Sequence, residues 1–116
     1  MYCSPDIIGL LIINYFCALL YNQWFSKQAH ERGLAVGLKN DLSQAQELEP
    51  FFDFAVNEEC FPFDECRLLA PFISKGKPVF GLEYGKYPPM HCKEAQAYGI
   101  NLGWSESSLN GTFIPC

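Results

Sequence analysis

The residues best suited to chemistry fall in three short clusters, each following an apolar run: Lys39-Asn40-Asp41, Asn57-Glu58-Glu59 and Glu83-Tyr84. Carboxyl groups beside an amide, an ammonium and a phenol can protonate a leaving oxygen, stabilise a developing cation and hydrogen-bond hydroxyls. Phe61, Phe63, Tyr84 and Tyr87 stand on the adjoining stretches, where their rings can stack against the apolar faces of sugars. Together these groups suit a carbohydrate cleft. The competing structural reading is that such acids cap the next helix, whose positive end favours negative charge. That reading fits Asp41, which precedes a short helical run, better than Glu58 or Glu83, which come straight off apolar runs.

Such a cleft requires elements that bring the three clusters to one rim. Residues 18–32 are good helix formers with basic groups in the last turns and Gly33 as a stop, and His30 there reads as a partner of the helix dipole. Leu34-Ala-Val-Gly-Leu38 then reads as a strand buried on both faces. The same order repeats. Asp41 can cap a helix over Leu42–Leu48 ended by Pro50, before the run Phe54–Asn57. A third helix over Cys66–Lys75, opened or kinked by Pro71 and stopped by Gly76, precedes Pro78–Glu83; a fourth over His91–Tyr98, stopped by Gly99, precedes Ile100–Trp104. Apolar runs starting near 34, 54, 79 and 100 recur every 20 to 25 residues with a helix between each pair, the pattern of β/α units with a parallel sheet. Parallel sheets place ligands at the carboxyl ends of their strands, where the three clusters lie.

The totals narrow the partners. The 116 residues, 49% apolar and 16% aromatic, suffice for one core, and 13 acidic against 8 basic side chains give a net charge of −5, which excludes a nucleic-acid backbone as ligand. Six cysteines and the acceptor triplet Asn110-Gly-Thr112 favour an oxidising compartment and secretion. Cys60 and Cys66 are spaced to bridge and pin the loop after Glu58, and Cys92 with Cys116 is a candidate second bridge, although spacing alone does not fix connectivity. The cysteine and histidine spacing does not suit zinc, and no phosphate loop, nucleophile elbow or Cys/His pair is present, so neither metal nor cofactor is expected. Residues 7–20, apolar except for Gly9 and Asn14, have the length of a signal-peptide core but lack its basic flank and cleavage site. A buried element of the fold is the favoured reading; a signal or membrane anchor through residues 7–20 is the alternative.

At these residues a resemblance enters. AHERGLAVGLKNDL, FDFAVNEECFPFDEC and APFISKGKPVFGLEY carry G-L-K-N-D, N-E-x-C-F-x-x-x-E-C and V-F-x-x-E-Y. Over roughly residues 21–102 the chain resembles the glycoside hydrolase family 114 domain, the endo-alpha-1,4-polygalactosaminidase-like TIM barrel. The resemblance implies an α/β fold in which parallel (β/α) units form about half of a TIM (β/α)8 barrel, with residues 21–116 as its C-terminal half and residues 1–20 as a divergent apolar segment. A barrel of this kind takes about 250 residues, so the chain is expected to be a fragment, a truncated gene model or a half barrel that self-associates.

The resemblance further implies hydrolysis of α-linked galactosamine or galactose polysaccharides by two carboxyl groups. One matches Glu58, the expected proton donor, whose pKa would be lifted by burial or by Glu59 and Glu83. The Asn57 amide would orient it, and Lys39, Asn40, Asp41, Glu83 and Tyr84 would contact the sugar. The partner carboxyl belongs to a Glu-Pro-Asp-Asn motif of which Ser4-Pro5-Asp6 is the remnant, with Ile7 in place of the Asn. With that half of the site altered, the isolated chain is expected to have little or no turnover, and a carbohydrate-binding fragment without catalysis is the alternative function.

Overall fold

The structure is a computed structural model that describes residues 10–85 and 91–116. Helix α1 (Leu10–Glu31) is followed by strand β1 (Gly37–Lys39), a 3-10 turn, helix α2 (Ala45–Leu48), a second 3-10 turn (Glu49–Phe51) and strand β2 (Phe54–Glu58). Another 3-10 turn (Cys66–Leu69) leads into α3 (Ala70–Ser74), β3 (Val79–Tyr84), α4 (Cys92–Tyr98), β4 (Asn101–Ser105) and β5 (Ile114–Pro115). The sheet order is β1-β2-β3-β4-β5, parallel through β4 with β5 added antiparallel at the edge. The expected β/α repetition is thus present, while the antiparallel strand is an addition that the repeat does not announce.

The helix stops follow from local chemistry. Gly33, Gly76 and Gly99 take positive φ after α1, α3 and α4, where a side chain would be strained. Pro71 occupies the opening turn of α3, where its missing N–H costs nothing, so it starts that helix instead of kinking it. Pro50 lies inside the 3-10 turn that relays α2 into β2.

One face of the sheet is buried and the other is not. Leu38, Ala55, Val79 and Leu102 pack against Leu48, Leu69, Phe72 and Ala95 from the helical layer, and each fully buried Val, Leu or Phe side chain contributes about 1.5–3 kcal/mol. The opposite face carries Phe54 and Phe80, edge to face with ring centroids 6.1 Å apart, and Phe80 remains 46% exposed. The expectation of a strand buried on both faces at Leu34–Leu38 is therefore corrected: the helices cover one side of the sheet only, as on the outside of a barrel. Space on the uncovered face is taken by rings from neighbouring strands. A Cβ at Gly37 would collide with Phe54, and one at Gly103 would collide with Phe113.

The first strand is also shorter than expected. Leu34 is 59% exposed, and pairing begins only at Gly37, opposite Phe54. Helix α1 lies in the helical layer against α2, with Leu19 and Ala29 on the core and Ser26 Oγ donating to the Phe51 carbonyl. Of residues 7–20, those up to Gly9 lie outside the described residues and those from Leu10 onward form the first half of α1; Phe16 and Leu20 are exposed, and none of residues 14–20 is fully buried. No helix among the described residues is long and apolar enough to cross a membrane. His30 lies 2.8 Å from Asp53, whose carboxylate also accepts from the Val36 N–H. These bonds hold the Asp53 carboxyl below its usual range and join α1 to the start of β2. His30 is thus a cross-link as well as a helix-end residue. A largely buried ion pair, Lys77 to Glu49 at 2.7 Å, ties the start of β3 to the turn after α2.

Candidate active site

The three clusters all reach the carboxyl ends of adjacent strands, but not one face. Strand register pairs Glu58 with Leu82 and Glu83 with Trp104. Because side chains alternate along a strand, Glu58 shares the helix-free face with Tyr84, while Glu83 and Asn57 point into the helical layer. Both of these are buried, at 7% and 2% exposure. The sequence-based placement of all these groups around one cleft is corrected on this point.

On the helix-free face, Tyr84 Oη donates to Glu58 Oε1 at 2.6 Å, and Lys39 Nζ stands 3.7 Å from Oε2. Asn40 bridges the two strand ends: its Oδ1 accepts the Glu58 backbone N–H at 2.8 Å and its Nδ2 donates to Glu58 Oε2 at 3.4 Å. Asn40, not Asn57, is therefore the amide that orients Glu58. Asn57 donates to Asn40 Oδ1 at 3.4 Å and has no partner for its own buried Oδ1. The chain leaves β1 through Asn40 and Asp41 in left-handed conformations, which Asn and Asp tolerate better than most residues. Asp41 makes no side-chain cap on the following turn and instead accepts from Asn22 Nδ2 at 3.2 Å. Partial burial, with Glu47 nearby, raises its pKa.

Electrostatics separates the two glutamates. The Tyr84 hydroxyl, then Asn40 and Lys39, holds the Glu58 carboxyl below the usual range against a smaller desolvation effect, so the lift expected for a proton donor is absent among these neighbours. The same bond pushes the Tyr84 phenol up to about 12. Glu83 goes the other way: burial raises its pKa, opposed by the N–H of Phe61 that it accepts at 3.3 Å.

That bond gives Glu83 a structural task. After β2, Glu59 turns the chain with φ 60, and the loop is closed by a Cys60–Cys66 disulfide with both cysteines buried. Phe61 stacks on His91 with centroids 4.7 Å apart, so its ring is occupied; Phe63, 66% exposed, is free to meet a ligand. A Cys92–Cys116 bridge joins the start of α4 to the residue after β5. Tyr87 and Ser4-Pro5-Asp6 lie outside the described residues.

A cleft of ≈ 400 Å³ opens at this end of the sheet, lined by Asn40, Asp41, Leu42, Ser43, Asn57, Glu58, Phe63, Glu65 and Leu68. A larger cavity of ≈ 760 Å³ lies along α1 between Trp24, His30 and Phe51, away from the strand ends. Sequence reasoning missed Ser105, which is in register with Tyr84. Reading β4 as ending at Trp104 put Ser105 one position outside the strand; extending the alternation of β4 by one residue past Trp104 places it on the helix-free face. No group of three or more His, Cys, Asp or Glu side chains placed to hold a metal is found among the described residues.

Parallel strands backed by helices on one face, with polar and charged groups at their carboxyl ends, are the arrangement of part of a β/α barrel, which places its ligand sites at those strand ends. The model of glycoside hydrolase family GH114 matches residues 9–116, and the chain belongs to that family. A solved structure of Aspergillus fumigatus Ega3 in complex with galactosamine is similar, with a TM-score of 0.70 and 23% identity over 84% of this chain. The match spans 44% of the Ega3 chain. No curated protein matches the chain significantly.

Proposed function

We propose that the chain is the part of a GH114 glycoside hydrolase that carries one of two reacting carboxyls, Glu58, and that it acts on α-linked galactosamine or galactose polymers. The observation that carries this reading is the position of Glu58: at the end of β2, on the helix-free face, anchored by Tyr84 and Asn40. Hydrolysis through an oxocarbenium-like transition state needs a protonated carboxyl for the leaving oxygen and an ionised one on the sugar ring. Among the described groups Glu58 is held ionised, which suits attraction of a cationic galactosamine unit. For it to act as proton donor, a second negative carboxyl across the cleft must raise its pKa. Asp6 is the candidate within this sequence. Lys39, Asn40 and Phe63 line the approach to the sugar, whereas Asn57 and Glu83 support the loops around it.

Disulfides among the described residues, Cys60–Cys66 and Cys92–Cys116, support a secreted protein. Incubation with polygalactosamine and α-galactosides tests the reading, using the chain alone and joined to the amino-terminal strands of a family relative. Release of reducing sugar that disappears in Glu58→Gln supports it; no release from either form sinks the hydrolase. The second reading, a carbohydrate-binding fragment without turnover, is favoured by the low pKa of Glu58. Calorimetric binding of a galactosamine oligomer without cleavage would select it.

A further inference from the structure

We infer that Tyr84 is a positioning residue for Glu58, tying down Oε1 and leaving Oε2 as the oxygen that meets the glycosidic bond; this rests on the reading of Glu58 as a reacting carboxyl. The two oxygens are held very differently. Oε1 accepts the Tyr84 hydroxyl at 2.6 Å, whereas Oε2 has Asn40 Nδ2 at 3.4 Å and Lys39 Nζ at 3.7 Å. A 2.6 Å O–H···O⁻ contact is a short, charge-assisted bond, while contacts of 3.4 Å and beyond are weak.

The supports differ in rigidity too. Tyr84 is partly buried and belongs to a strand paired on both sides, opposite Ser105 of β4. The Lys39 side chain is 65% exposed and can swing away when a sugar arrives. A phenol whose one proton is committed to Glu58 has none to give a substrate hydroxyl. Its expected task as a sugar contact therefore gives way to fixing the χ angles of Glu58, so that the remaining oxygen projects in one direction.

Among the described residues, the charged and titratable groups that act on Glu58 are Lys39 from β1 and Tyr84 from β3; Glu59, next in sequence, acts on Tyr84, and Glu83 is on the opposite face. The test uses the 116-residue chain labelled with 13C in Glu side-chain carboxyls and Tyr rings, followed by NMR against pH. In Tyr84→Phe the Glu58 midpoint should rise by about one pH unit, as loss of a bond to a charged group implies. Lys39→Met should move it by about a third of that, since an exposed pair is screened. Reciprocally, between about pH 9 and 11 Tyr84 should stay protonated in the parent and titrate near its ordinary value of about 10 in Glu58→Gln.

An unmoved Glu58 midpoint in folded Tyr84→Phe overturns the inference. Should that variant not fold, the Glu58→Gln arm decides, and a Tyr84 that titrates alike with and without the Glu58 carboxyl overturns it equally. Full hydrolytic activity in Glu58→Gln is a different failure: it removes the catalytic reading and leaves the coupling of the two side chains standing.

Discussion

Glu58 and Glu83 end neighbouring parallel strands, one register step apart, yet they face opposite sides of the sheet and their protonation is pushed in opposite directions. Glu58 stands on the uncovered face, where donors converge on it and favour its charge. Glu83 is sunk among the helices, where desolvation disfavours charge and one backbone N–H offsets only part of the loss. The difference teaches that a carboxyl at a strand end is a candidate reagent only on the face that a ligand can reach. On the other face the same group becomes loop architecture.

The sharpest separation of the two should come from activity. In a form that turns over substrate, Glu58→Gln is expected to reduce kcat/KM by about 10²–10⁴, the usual contribution of a positioned acid or base, while Glu83→Gln should stay within about threefold. Equal losses in both, measured by reducing-sugar release, would break the comparison. Stability should show the reverse ranking of faces. Phe72, fully buried in the helical layer, should cost about 3–5 kcal/mol when changed to Ala. Phe80, on the open face, should cost about 1 kcal/mol or less. Urea midpoints of the two variants decide it.

Next is the loop that Glu83 supports. Replacing Cys60 and Cys66 by Ser opens a ring of sequence separation 6, expected to cost about 2 kcal/mol because so short a loop gains little from closure entropy. The smallest effect is on the pH dependence of stability, where the two acids carry opposite signs. Glu58, with a lowered folded pKa, contributes stability that is complete above the ordinary glutamate range and is lost as pH falls through its lowered value. Glu83, with a raised folded pKa, is favoured protonated, so its contribution declines as pH rises from the ordinary range through its raised value. Glu83→Gln should therefore flatten the weak-acid side of the urea-midpoint profile and gain relative to the parent at neutral pH, while Glu58→Gln should lose there. Matching profiles for the two variants would contradict the assigned faces.

Much of this architecture is legible along the chain. The recurring apolar runs and the glycines after each helix mark the β/α repeat, and G-L-K-N-D, N-E-x-C and V-F-x-x-E-Y place polar groups at strand ends. Cys60–Cys66 and Cys92–Cys116 join cysteines that the sequence offers as candidate partners, although spacing alone does not fix the pairing. The misreadings have two origins. The apolar run Leu34–Leu38 reads as a strand covered on both sides, although its length alone cannot say whether a second layer is present. Boundaries uncertain by one residue also hid the alternation that sends Asn57 and Glu83 one way and Glu58 and Tyr84 the other. The antiparallel β5 pairs only Gly103 with Pro115 and Trp104 with Ile114, too short a ladder to leave a periodic signal.

Residue order by itself determined the repeat, the helix stops and the family, because backbone preferences and hydrophobic spacing act over a few residues and survive in any partner's absence. Which acid is kept charged, which amide holds it and which oxygen is left free were decided only by tertiary structure. Protonation and hydrogen bonding depend on groups from separate strands meeting within about 3–4 Å, a proximity set by register and by the layer of helices that closes one face.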